Sequence, residues 1–115
     1  MRSFGFAFAG LRYLVASEHN AWLHLAAALL VVIGGALLDL GHEGWLWIVL
    51  AIGWVWTAEA FNAAIERLAD RVSAEHDPQI GVVKDLAAAG VLTSAIGAGV
   101  IGVLVLGPKT FLLFS

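Results

Sequence analysis

Three carboxylates and an amide recur along one stretch of the chain: Glu59, Asn62, Glu66 and Asp70. In a helix turning about 100° per residue, these four positions fall within an arc of about 80° and share one face. Like charges gathered in this way repel unless a cation neutralises them. A hard divalent ion such as Mg²⁺ takes oxygen ligands and keeps phosphate or water in its shell, which suits such a stripe. The residues leading into the stripe, from Trp45 onward, are almost all apolar. Counted from Trp45 at about 1.5 Å per residue, Glu59 lies roughly 21 Å and Glu66 roughly 32 Å along the axis. A carboxylate at the depth of Glu59 costs roughly 2.5–3.5 kcal/mol on the lenient insertion scale, so its retention points to function, and proton abstraction is the chemistry it suits.

The elements that position these groups follow from composition. The 115 residues are 61% hydrophobic and 13% charged, with a mean hydropathy of +0.91, no cysteine and a formal charge of -3. Soluble domains carry about 25% charged residues. The balance excludes a water-soluble domain, a disulfide scaffold, a cysteine-based metal centre and a basic nucleic-acid surface. A helix crosses the hydrocarbon with about 20 apolar residues, and residues 22–38, 45–65 and 86–106 meet that requirement. Ahead of them, residues 3–17 place Phe4, Phe8, Leu11 and Val15 at helical spacing, which predicts an amphipathic helix on the membrane surface. Gly5, Gly10 and Arg12 interrupt that stretch and argue against a signal peptide. The expected fold is an all-α integral membrane protein, one domain over 1–115, with three transmembrane helices and an N-terminal surface helix.

Arg2, Arg12, Arg67, Arg71 and Lys84 flank one side of the spans, which the positive-inside rule makes cytoplasmic, together with the N-terminus. The turn from Asp39 to Gly44 then faces the other side. Arg67 and Arg71 are expected to be solvated helix ends, and His42 and His76 loop residues. Gly90, Ser94, Ala98 and Gly102 recur every four residues in the third span, a stripe that allows a neighbouring helix to approach closely. His24, just inside the first span, is read equally well as a partner for a polar group or as a structural histidine.

The segment Glu59-Ala60-Phe61-Asn62-Ala63-Ala64-Ile65-Glu66-Arg67-Leu68-Ala69-Asp70 resembles the signature E-x-x-N-[ST]-A-I-E-x-x-x-D of the small prokaryotic membrane lipid kinases, the diacylglycerol and undecaprenol kinases. Lys84-Asp85 with Ala87-Ala88-Ala89 is similar to their K-D-x-[AG]-[AS]-A element, and Ser73-Ala74-Glu75-His76-Asp77-Pro78 to their S-x-E-Y-H-P loop. Upstream, Ser3-Phe4 with Ala7 and Gly10-Leu11 resembles their S-F-x-x-A-x-x-G-[LI] start, and Glu18-His19-Asn20 with His24 their E-x-N-x-x-x-H stretch.

The resemblance implies a homotrimer in the bacterial inner membrane with active sites shared between subunits, transferring phosphate from ATP to a lipid alcohol. It makes Glu59 the general base, Glu18 and Glu66 the Mg²⁺ ligands, and Arg2, Asn62, Asp70, Glu75, His76, Asp77, Lys84 and Asp85 the surroundings of the nucleotide. Asn20 and His24, with Glu59, fall to the lipid substrate, in a spacing more like the undecaprenol branch. Ala63, Gly5, Ala9 and the Glu-His-Asp loop depart from the family pattern. A competing reading is a small oligomeric ion channel or proton-coupled transporter with Glu59 as the ion-binding carboxylate. That reading leaves Asn62, Glu66 and Lys84-Asp85 without a purpose.

Overall fold

The structure, a computed structural model, describes residues 2–73 and 75–115; Met1 and Ala74, the latter inside the loop motif, lie outside them. The described residues form four helices: α1 (Arg2–Ser17), α2 (His19–Leu37), α3 (His42–Val72) and α4 (Pro78–Phe114). The last three are each long and apolar enough to cross a membrane. They outrun the expected spans because hydropathy marks only the part of a helix inside hydrocarbon. The 37 residues of α4 reach about 55 Å at 1.5 Å per residue, against a core of about 30 Å. His42, expected in a loop, is instead the first residue of α3, since the connection from α2 closes by Gly41.

The element α3 is the centre of the molecule, packed along α4 and touching α2 and α1. Its buried residues Ile48, Ala51, Val55, Glu59 and Asn62 recur at intervals of three and four, the spacing of a single packing seam, and Ala63 and Ala69 are buried beyond them. Glu59 and Asn62 thus occupy places where the pattern calls for apolar side chains. On α4, Ser94 is buried while Ala98 and Gly102 are half-buried, whereas Gly90 is exposed. Within one chain the small-residue stripe therefore packs along three of its four positions.

Against this bundle α1 is held by Leu14, buried in a cluster with Ala21 and Ala63 and flanked by Trp56. The face expected from Phe4, Phe8, Leu11 and Val15 is largely open: Phe4, Phe6, Phe8 and Leu11 are exposed and Val15 is half-buried. The anchoring side chain lies beside that face.

The α2–α3 turn is a Schellman motif. The Leu40 amide donates to the Gly35 carbonyl at 3.2 Å, Asp39 takes φ 56°, and Leu40 folds back over Gly35. A Cβ on Gly35 would meet Trp45 Cη2 at 2.8 Å and Leu40 Cδ1 at 2.9 Å, while one on Gly34 would meet nothing within 4 Å. Gly35→Ala should therefore destabilise the α2–α3 hairpin by about 1–3 kcal/mol, the usual cost of overpacking. Gly34→Ala should leave the thermal transition in detergent unchanged or slightly raised, and equal effects of the two would contradict this packing.

Candidate functional site

The acidic stripe on α3 is graded in exposure. Glu59 is 1% exposed and Asn62 8%, Glu66 is half-buried, and Asp70 is 64% exposed at the end of the run. The helix stays packed to the end of the run, since Ala69 is 4% exposed; Asp70, one position on, falls off the buried face of α3.

At the buried end, His24 on α2 brings Nε2 to 3.3 Å from Glu59 Oε2. That oxygen nevertheless makes no hydrogen bond among the described residues, and neither does Asn62 Oδ1. The histidine is close enough for electrostatic contact but off the hydrogen-bond direction, so we read the pair as an approach and not as a closed bond. Leaving a buried acceptor unpaired costs about 1–3 kcal/mol, and Glu59 and Asn62 carry one such atom each. Of the two readings of His24, the geometry favours the partner of a polar group. Asn20 stands one turn earlier on α2 and is exposed.

Outward from Glu59, the three spans leave an apolar groove of about 360 Å³. His24 and Trp56 line its end nearest Glu59, and Ala98, Gly99 and Gly102 supply the small side chains that keep it open. The small-residue stripe thus does more than bring helices together.

At the exposed end, Lys84 Nζ donates to Asp70 Oδ1 at 2.5 Å. The hydrogen bond to Asp70 is the main cause that raises the Lys84 pKa above its ordinary value; burial opposes it, and the charges of Asp70 and Glu66 add to it. The ammonium stays charged, and Glu66, Asp70 and Lys84 form one electrostatic group across the α3–α4 junction. Asp85 is exposed beside them.

The α3–α4 connection is built locally. Ser73 Oγ donates to the Glu75 carbonyl, and Asp77 Oδ1 accepts from the Gln79 amide at 2.9 Å. Asp77 is the N-cap of α4 with Pro78 opening the first turn, a pairing whose signal is readable from Asp-Pro before an apolar run. One carboxylate oxygen of Asp77 is therefore occupied, while Glu75 and His76 are exposed.

Arg67 has a role that its place in the sequence does not announce. Its Nη2 donates to Ser17 Oγ and to Glu18 Oε1, both at 3.1 Å, and its guanidinium lies 4.3 Å from the centroid of the Tyr13 ring. It is not a bare solvated helix end. No local signal announces this, because its partners lie some fifty positions earlier in the chain. The structure thus brings together Glu59 with His24, Asp70 with Lys84, and Glu18 with Arg67; Arg2, at the far end of α1, joins none of the ion pairs of the described residues.

Among the described residues no three His, Cys, Asp or Glu side chains converge as a metal-binding group. Glu18 and Glu66 offer carboxylate oxygen alone, the donor chemistry that suits Mg²⁺, which commonly completes its shell with phosphate oxygens and water.

Residues 5–106 match the prokaryotic diacylglycerol kinase family. Over 108 residues the chain is 36% identical to the undecaprenol kinase of Bacillus subtilis, covering 94% of this chain and 88% of that one. Over 101 residues it is 31% identical to a diacylglycerol kinase of Synechocystis, covering 87% of this chain and 58% of the relative. The chain belongs to the prokaryotic diacylglycerol kinase family and is a membrane-embedded lipid kinase.

Proposed function

We propose that the chain catalyses ATP- and Mg²⁺-dependent phosphorylation of a membrane lipid alcohol, undecaprenol or diacylglycerol, at the cytoplasmic face of the bacterial inner membrane. The observation that carries this reading is Glu59: a carboxylate 1% exposed on the packing seam of a membrane-spanning helix, with one oxygen that makes no hydrogen bond among the described residues. Phosphoryl transfer asks little more of a protein than positioning, neutralisation of phosphate charge and a base beside the acceptor hydroxyl. Glu59 is the base, and the apolar groove running outward from it takes the hydrocarbon chain of the acceptor. Asn20 and His24 orient the lipid head. The name of the Bacillus relative supports undecaprenol, and that of the Synechocystis relative keeps diacylglycerol in view.

Glu18 and Glu66 hold the metal, which neutralises charge on the phosphates when bound. Asn62, Asp70, Lys84, Asp85, Arg2 and the Glu75, His76, Asp77 loop surround the nucleotide. The whole of 1–115 is one lipid-kinase domain, with its N-terminus cytoplasmic and α1 on the membrane surface. The helix faces that one chain leaves bare, such as Leu29, Leu30 and Ile33 on α2, suit lipid and the contacts of a homotrimer with shared active sites. The channel or transporter reading is not favoured by the family match.

Calorimetry on the purified chain in nanodiscs with a non-hydrolysable ATP analogue tests the reading. Affinity for the analogue should appear with Mg²⁺ and vanish with chelator; affinity that is absent, or indifferent to metal, contradicts it.

A further inference from the structure

Glu18 is the N-cap of α2, in extended backbone conformation (φ -105°, ψ 121°), yet its side chain makes no capping bond. Glutamate caps poorly, and here the carboxylate is turned away from the α2 amides and toward α3. What holds it is Arg67, whose one nitrogen reaches both Ser17 Oγ and Glu18 Oε1 at 3.1 Å. Ser17 Oγ in turn donates to the Tyr13 carbonyl at 2.6 Å, and the guanidinium stacks on the Tyr13 ring at 4.3 Å. Beneath this polar layer, Leu14 packs with Ala21 and Ala63. A single side chain of α3 therefore fixes the last turn of α1 and the first residue before α2.

We propose that Arg67 is a positioning residue for the nucleotide–metal end of the site, acting through Glu18. The inference rests on the reading above that Glu18 is a metal ligand. A free glutamate has several rotatable bonds to freeze before it can coordinate, and Arg67 freezes them in advance while leaving Oε2 outside the bond. Partners that orient a ligating carboxylate are typically worth about 10–100-fold in metal affinity. The repulsion between Arg67 and a bound cation opposes this, but the arginine side chain is 46% exposed, so water and salt screen that term. Lysine does not replace it, because an ammonium has no planar face to lie on the Tyr13 ring while its nitrogen donates to Ser17 and Glu18.

Tyr13 is the one tyrosine in the chain, so 3-fluorotyrosine labelling gives one fluorine position, directly beneath Arg67. Mg²⁺ is titrated into the full chain in nanodiscs with the non-hydrolysable ATP analogue, and the fluorine resonance is followed in the parent, Arg67→Gln, Arg67→Lys, Glu18→Gln and the Arg67→Gln/Glu18→Gln double variant. The resonance should move in both Arg67 variants before any metal is added, as the cation leaves the ring. The Mg²⁺ midpoint should rise about tenfold in Arg67→Gln and in Arg67→Lys, and the double variant should show no more than Glu18→Gln alone. The lysine variant keeps the charge and the stem and serves if the glutamine variant does not fold. A shifted resonance with an unchanged or lowered Mg²⁺ midpoint overturns the proposal, as does additivity in the double variant. If Glu18→Gln itself leaves the midpoint unchanged, the metal role of Glu18 falls and the proposal falls with it, an outcome distinct from failure of Arg67 alone.

Discussion

Glu59→Gln should lower the turnover of lipid phosphorylation by about 10²–10⁴-fold, the usual contribution of a positioned general base, while Mg²⁺-dependent nucleotide binding and assembly persist. The amide keeps the shape of the side chain and an oxygen acceptor, but it cannot take up the proton of an attacking hydroxyl. Stability gives a second, opposite-signed readout. The Glu59 carboxylate is 1% exposed, with Oε2 unpaired, and an incompletely satisfied buried charge is expensive. Neutralising it should hold or raise the thermal transition in detergent. A structural acid gives the reverse pattern, with turnover of the folded fraction unchanged and stability lost. Unchanged turnover of the folded fraction removes Glu59 from the base role.

Glu66→Gln should act on the metal. It is half-buried between the closed end of the stripe and the solvated pair of Asp70 and Lys84. With Glu66 and Glu18 as the proposed ligands, losing one should raise the Mg²⁺ concentration for half-maximal activity by at least about tenfold, since even partners outside the coordination shell are worth about 10–100-fold. Excess Mg²⁺ should restore part of the rate, as it cannot for Glu59→Gln. If instead the Mg²⁺ dependence is unchanged and the assembly weakens, Glu66 is a packing group between helices.

Much of this was legible in the sequence for a physical reason. In a bilayer an apolar helix must satisfy its own backbone and a charge must justify its cost, so three helices and the oddity of Glu59 could be read from residue type and spacing. The burial of Glu59 and Asn62 on a seam with Ile48, Ala51 and Val55 is the same period-3.6 pattern seen from inside. Helix ends were less legible: hydropathy fades at the headgroups while the hydrogen-bond ladder of α3 runs on to Val72. Contacts distant in sequence left no trace at all, which is why Arg67 and Leu14 emerged only when α1 was placed against α3. Asp77 lies between these cases: its capping signal, Asp-Pro before an apolar run, is local, but the residue entered the sequence reading only through the loop motif.

Transfer of labelled phosphate from ATP to lipid is the reaction by which the proposed function stands or falls. The purified chain in mixed micelles is given terminally labelled ATP and either undecaprenol or diacylglycerol, with Mg²⁺ or with chelator. Labelled lipid phosphate should form from at least one acceptor, only with Mg²⁺. A folded, assembled chain that labels neither lipid while conducting ions across liposomes would contradict the proposed function.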